Sequence, residues 1–331
     1  MYRPSTQASI VWTIAWSLML IYSSIGIAGD DQALPSPLSL EQALELAEGH
    51  PRLSASDALM RYPRPEPLFL GCHGLAFPAM RPGDARRDQA WSLLVSPKSA
   101  QRLEIMQRFF DVLLADLRYA EDNEAMAVAY VQLDRARARA ELGQVSPIRV
   151  AELEVAYQRI RLQRAASAAA QRMTRALLSQ AMGRFKTLPR DLTEPQLPRA
   201  SADRADPLDD PDPLVERALG ENRWLRQGIA DADEAERALL QMTLRTQILE
   251  LSTRLGLLAV AADEARSVAR WRDLVLDDSR TRYEMEAAAD LGYAMSRQTQ
   301  ARRREAEVRY CQALTRAQLD ALQGRPVSPP N

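Results

Sequence analysis

The chain has 331 residues with 43 basic and 44 acidic side chains, and its formal net charge of −1 argues against a nucleic-acid binder, which carries a basic excess. Thirteen glycines and 6% aromatics are too few for the turns and apolar runs of a sandwich, a barrel or a doubly wound sheet, which leaves a protein of long helices. Cys72 and Cys311 are too few for a disulfide framework or a closed thiolate zinc site, and His50 and His73 too few for a His-based triad or a multi-His metal centre.

Residues 1–28 read as a signal peptide. Arg3 supplies the positive start, Ile10–Ala28 holds no charge, and Gly26 and Ala28 place small residues at the −3 and −1 positions of a cleavage site. The uncharged run is nearly long enough to cross a bilayer, so the alternative is a retained anchor. Cleavage after Ala28 would leave the chain outside the cytoplasm, in the periplasm, with outer-membrane association as a further expectation.

Residues 29–183 form the first of two expected repeats. A short helix runs over 38–50, where Ser39 and Gln42 have capping-box spacing, and Pro51 follows it. Six prolines between 61 and 97 make that stretch irregular, with at most a short helix. A long hairpin occupies 99–183. Its first helix carries Leu103, Met106, Phe110, Leu113, Leu117 and Ala120 at alternating spacings of three and four and stops at Gly143. Ser146 caps the second helix, with Pro147 at its first position and Val150, Leu153, Tyr157 and Ile160 on one face.

Prolines make 184–213 a linker. The second repeat, 214–324, opens on a short helix through Leu214–Gly220. Continuous helix is then expected from Ala230 to Tyr283, with a coiled-coil seam from Leu244 through Ile248, Leu251, Leu258, Ala265 and Leu276 to Tyr283. A turn falls near Glu286–Ala289, and the last helix runs to Gln323. Residues 325–331 read as a disordered tail. The fold class is therefore all-α, with long antiparallel coiled-coil hairpins in two tandem repeats.

The order of these features resembles the outer-membrane efflux protein family, the TolC-like ducts. The motifs are Leu38-Ser-Leu-Glu-Gln-Ala-Leu; His50-Pro51-Arg52-Leu53, where the family usually has Asn-Pro-x-Leu; Leu142 to Val150 followed by Glu152 and Glu154 at a first hairpin tip; Asn222-Arg223-Trp224-Leu225; and Arg282-Tyr283-Glu284 with Ala289-Asp290-Leu291 at a second tip. The resemblance implies a component of an efflux or type I secretion system. It implies hairpin tips that contact a periplasmic adaptor (membrane fusion) protein, an inner-membrane pump as further partner, and a homotrimer. The partner-binding residues it marks are Leu142, Gly143, Val145, Ser146, Tyr283, Ala289, Asp290 and Leu291. Neither 61–97 nor Ala230–Tyr283 contains the alternating strands of the family's membrane barrel. The chain thus reads as the periplasmic helical domain without the barrel, and a coiled-coil scaffold with no transport activity is the alternative.

Other residues invite blander readings. Arg302-Arg303-Arg304 beside Glu305 and Glu307 suits a solvated coiled-coil face. Cys311, in helical spacing with Val308 and Thr315, suits core packing. Asp209, Asp210 and Asp212 suit a surface linker, and Met242, Met285 and Met295 are too spread for a soft-metal site. Asp277 and Asp278 point to different sides of a helix, so they form no acid/base pair. No nucleophile–base arrangement or phosphate loop is found, so no enzyme activity, cofactor or metal is expected.

Overall fold

The computed structural model describes residues 34–54, 66–78, 93–184, 187–198, 211–285 and 291–328. Their elements are α1 (Leu40–Glu45), two 3-10 turns (Leu46–Gly49 and Pro51–Leu53), α2 (Cys72–Ala76), α3 (Pro97–Glu141), α4 (Pro147–Ala181), α5 (Asp212–Glu221), α6 (Arg223–Asp231), α7 (Glu234–Glu284) and α8 (Leu291–Leu322). The architecture is all-α. Among the described residues the only β-type contact is a bridge between Leu38 and Leu192, in which the Leu38 N–H donates to Asp191 at 2.8 Å and the Thr193 N–H to Leu38 at 2.9 Å. The segment 1–28 and the segments 55–65 and 79–92 lie outside the described residues. Within those described, no helix is long and apolar enough to cross a membrane.

Helix starts follow the local chemistry. Ser39 accepts from the Gln42 N–H while the Gln42 side chain accepts from the Ser39 N–H. Ser96 caps α3 and Ser146 caps α4, each followed by proline at the first position. One expectation fails. The helix expected to run unbroken from Ala230 breaks at Ala232-Asp233, where Ala232 is extended. Asp233 accepts from the Glu236 N–H at 2.9 Å, and Glu236 accepts from the Asp233 N–H at 3.1 Å. This second capping box lets the backbone close α6 and restart as α7 with its first N–H groups satisfied.

The four long helices form one open layer in the order α4, α3, α8, α7. Asp116 joins α3 to α4 by accepting from Gln171 at 2.7 Å and from both terminal nitrogens of Arg175 at 2.8 and 2.9 Å. Phe110 of α3 stacks on Tyr310 of α8 at 4.7 Å between centroids. Gln312 of α8 donates to the Leu258 carbonyl of α7 at 3.0 Å. Leu103, Met106 and Phe110 are buried as their spacing predicts, Leu113 and Leu117 are half-buried, and Ala120 is exposed. The α7 seam is buried from Leu244 to Ala265 except for half-buried Leu255, is half-buried at Ala269 and Arg272, is buried again at Leu276, and ends on exposed Tyr283.

The two hairpins are not level. A Cβ on Gly292, in the first turn of α8, would meet Val128 Cγ2 at 2.5 Å, so α8 begins beside Val128. Helix α3 continues from there to Glu141, about 20 Å further at 1.5 Å per residue. The first hairpin therefore projects beyond the described part of the second.

Two further expectations change, and one contact is added to them: Cys72 of α2 is bonded to Cys311 of α8 across a sequence separation of 239. A single long-range bridge leaves no spacing pattern, and Cys311 packs in the core as half of it. The tail is not free through its whole length. Val327 is 1% exposed, and its carbonyl accepts from Arg102 Nε at 2.7 Å, so burial of one apolar side chain fixes the segment after α8. The arginine triplet is not one solvated face. Arg303 crosses to Glu121 of α3 at 2.9 Å with only 18% of its side chain exposed, while Arg302 and Arg304 stay open.

Candidate functional site

At the first tip, Leu142 ends α3 and is 72% exposed. Gly143 takes φ +70°, its N–H donates to Ala140, and the Gln144 N–H donates to Arg139. This is the paired closure that satisfies the last carbonyls of a helix. Val145 is half-buried, and Ser146 accepts from the Arg149 N–H. Arg137 and Glu154 pair across the two helices, and Arg149 pairs with Glu152 at 2.9 Å. At the second tip, Tyr283 is exposed in the last turn of α7, and Leu291 is half-buried at the start of α8. Ala289 and Asp290 lie outside the described residues. The candidate residues thus fall on two separate ends, offset by about 20 Å.

The opposite ends, the hairpin roots, repeat one another. Helix α4 closes at Gly183 (φ +73°), with the Arg184 N–H donating to Ser179. Helix α8 closes at Gly324 (φ +76°), with the Arg325 N–H donating to Asp320. Each glycine sits against an N-cap residue from the short-helix segment of its own repeat. At the first root that residue is His50, whose Nδ1 accepts from the Arg52 N–H at 3.0 Å and whose Nε2 lies 3.1 Å from the Gln180 carbonyl. At the second it is buried Asn222, whose Oδ1 accepts from the Leu225 N–H at 3.1 Å. Its Nδ2 donates to Leu322 at 2.8 Å and to Leu94 at 2.9 Å.

Between roots and tips, the segment 66–76 straps across the layer. Asp111 of α3 accepts from the N–H groups of Leu68, Phe69 and Leu70 at 2.8, 2.7 and 3.0 Å. Arg108 donates to the Glu66 carbonyl at 3.1 Å. Glu307 of α8 accepts from the Gly71 N–H at 3.4 Å, next to the Cys72–Cys311 bridge. Burial pushes the carboxyl groups of Asp111 and Glu307 above the usual range, against the opposing pull of their backbone donors and neighbouring arginines. Burial, and the charge of Glu194, likewise push the Tyr310 hydroxyl up. Tyr310 donates to Glu194 at 3.2 Å, which with Arg309 at 3.0 Å pins the linker to α8.

The outer helices carry a feature that the sequence reading passed over. The face of α4 turned away from α3 exposes Ile148, Val155, Leu162 and Met173, separated by seven, seven and eleven residues. The outward face of α7 exposes Met242, Leu249, Val260 and Trp271, and its C-cap exposes Met285, at one step of seven, two of eleven and one of fourteen. Seven- and eleven-residue steps return to nearly the same helix face, so each row is a spaced line of apolar side chains, with Glu152 and Arg159 between those of α4 and Thr253 and Glu264 between those of α7. The spacing of these positions is a signal in the sequence itself, masked by the stronger buried seam on the opposite face of each helix. A groove of about 490 Å³ along the α4 seam is lined by Ile148, Ala151, Glu152, Val155, Ala156 and Arg159. Among the described residues no three His, Cys, Asp or Glu side chains group as metal ligands.

No family model matches the chain, and no curated protein matches it. Solved structures do. CusC, from crystal structures concerned with its folding and transmembrane channel formation, superposes with a TM-score of 0.49 at 11% identity, over 87% of this chain and 92% of that one. The outer membrane protein VceC of Vibrio cholerae gives 0.48 at 10% identity, over 78% and 76% of the two chains. The CmeC outer membrane channel of Campylobacter jejuni gives 0.41 at 11% identity, over 74% and 68%.

Proposed function

We propose that this chain is a TolC-like component of an efflux or type I secretion system, working outside the cytoplasm as a self-assembled duct. The observation that carries the reading is the pair of exposed seams on the two edges of an open helical layer. An apolar row of this length on a soluble surface marks an interface. The edges differ, α4 on one side and α7 on the other, so their association is head-to-tail, and such contacts generate a ring when the rotation closes. A homotrimer is the closure that the sequence resemblance implies. The test is the mass of the purified full chain in solution. Three chains are expected for the wild type and one for Leu162→Arg or Trp271→Arg, each with its helical content kept. A monomeric wild type would overturn the assembly.

Export follows from two features. The sequence of 1–28 has the order of a signal peptide, and a disulfide buried between Cys72 and Cys311 suits an oxidising compartment. Fractionation of the native host should recover the chain from the periplasm or the outer membrane; recovery from the cytoplasm would contradict this part.

The projecting first tip is the docking element for a periplasmic adaptor, which in turn engages an inner-membrane pump. Leu142, Gly143, Val145 and Ser146 leave a narrow turn, and at Gly143 a side chain would meet open space. Val145→Arg is expected to abolish pull-down of the cognate adaptor at unchanged thermal stability. Normal pull-down would reduce the tip to a turn. A barrel-less periplasmic scaffold without transport activity is the second reading. It is favoured by the short join between α6 and α7, where Ala232 and Asp233 leave no room for a strand pair.

A further inference from the structure

The exposed rows of α4 and α7 lie on opposite edges of one chain, and contacts across the layer set the heights at which they can meet. Arg164 of α4 donates to the Tyr119 hydroxyl of α3 at 2.8 Å. Two residues on, Glu121 of α3 pairs with Arg303 of α8 at 2.9 Å. The neighbouring Arg302 pairs with Asp273 of α7 at 3.7 Å. These contacts run from edge to edge, so Arg164 and Asp273 stand at one height, to within about one helical turn. Helix α4 runs from tip to root and α7 from root to tip, so steps toward the tips lower the number on α4 and raise it on α7. Where the helices of a ring run along its axis, rotation carries each residue round at its own height. The α7 edge of one copy then meets the α4 edge of the next at defined levels.

Three features match at those levels. Asp278, five residues beyond Asp273, comes level with Arg159, five residues before Arg164. Both are exposed and central on their rows: Asp278 stands midway between Trp271 and Met285, and Arg159 between Val155 and Leu162. Arg159 has no hydrogen bond or ion pair among the described residues, and Asp278 pairs within its own helix, with Arg282 at 2.9 Å. Trp271, large and exposed, comes level with Ala166, inside the run Ala165-Ala166-Ser167-Ala168-Ala169-Ala170 of α4. Met285 comes level with Glu152, in the middle of the α4 groove between Ile148 and Arg159. An unbranched thioether side chain adapts to an irregular gap of this kind.

We propose that the α4 groove seats Met285 of a second copy of this chain, in a register fixed by an Arg159–Asp278 pair between copies and by Trp271 against the alanine run. The proposal rests on the ring assembly stated above and adds its register. A slip of one heptad fails in either direction. One way it sets Asp278 against Glu152, two like charges; the other way it sets Trp271 against Met173, two bulky side chains, and Met285 against Arg159. Like charges penalise the first slip and overpacking the second.

The test is cysteine cross-linking of the full chain, with the buried Cys72–Cys311 bridge left in place. A chain carrying both Arg159→Cys and Asp278→Cys should form covalent dimers and trimers under mild oxidation. Neither single variant should, because each adds one cysteine to one edge only. Glu152→Cys with Asp278→Cys should link about tenfold less, since a heptad is about 10 Å along the helix and a disulfide needs its Cα atoms within roughly 7 Å. Charge exchange is the second arm. Arg159→Glu and Asp278→Arg should each raise about tenfold the concentration at which the assembly dissociates, and the two together should restore the wild-type value, all at unchanged helical content. A wild type that assembles, but whose in-register pair links no better than the displaced pair, would overturn the register and leave the ring standing. So would charge exchange without restoration. A wild type that stays a single chain would overturn both.

Discussion

At the root of the first hairpin the residue beneath the closing glycine is His50; at the root of the second it is Asn222, buried and bonded to two carbonyls from separate segments. The backbones solve one problem in one way. A helix must hand its last carbonyls to some donor, and a glycine with positive φ brings the chain round to do so. What differs is how much else converges there. At Gly324 a Cβ would strike the Asn222 Cα at 2.7 Å, at Gly183 it would press on Pro51 Cδ at 3.2 Å, and at the Gly143 tip it would meet nothing. The duplication lives in the backbone accounting, and the side chains around it have diverged.

The largest break in the comparison comes from the strap, which joins the two hairpins by Asp111 on one and by Cys311 and Glu307 on the other. Replacing both Cys72 and Cys311 by serine should lower unfolding free energy by about 4 kcal/mol, because the bridge closes a very long loop of the unfolded chain. Urea denaturation with and without reductant checks this; a loss under 1 kcal/mol would mean that the hydrogen-bonded strap alone suffices.

The glycine series sharpens the comparison most directly. Gly324→Ala should cost about 3 kcal/mol, from positive φ together with a backbone clash. Gly183→Ala should cost about 2 kcal/mol, since proline Cδ must give way by a few tenths of an ångström. Gly143→Ala should cost about 1 kcal/mol, for the left-handed conformation alone. Thermal melts of the three variants test the order; an equal cost at all three would show that the roots are no tighter than the tip.

A similar cost attaches to the capping box that the sequence reading missed. Asp233→Ala should lose about 1 kcal/mol, matched by Ser146→Ala at the start of α4. The smallest effect is the pH slope. Asp111 and Glu307 hold their protons more tightly folded than unfolded, because burial raises both. Their contribution to stability is thus present in acid and lost as pH rises above the ordinary carboxylate range of about 4. Glu307→Gln should flatten that part of the profile, and an unchanged slope would assign it to Asp111 alone.

Much of this fold was legible because helices of this length repeat their periodicity many times. Leu103 to Phe110 and Leu244 to Leu276 announce their buried faces, and Ser146-Pro147 announces its cap. The break at Ala232-Asp233 was harder, since both flanks are good helix formers and the only marker is Asp233 with Glu236. The Cys72–Cys311 bridge was not legible at all; contact across 239 residues depends on the layer order, which no local pattern carries. The first tip was placed by Gly143 and Ser146-Pro147. Its projection beyond the described part of the second hairpin was not, because it depends on where α8 meets α3, at Gly292 and Val128.

The central claim is that the outward seams of α4 and α7 are buried against copies of the same chain. Sedimentation equilibrium of the full chain measures this directly. The account predicts a single species of three chains that Trp271→Arg converts to monomer without loss of helix. A wild type that sediments as one chain at every concentration, with Trp271 still open to solvent quenchers, would contradict it.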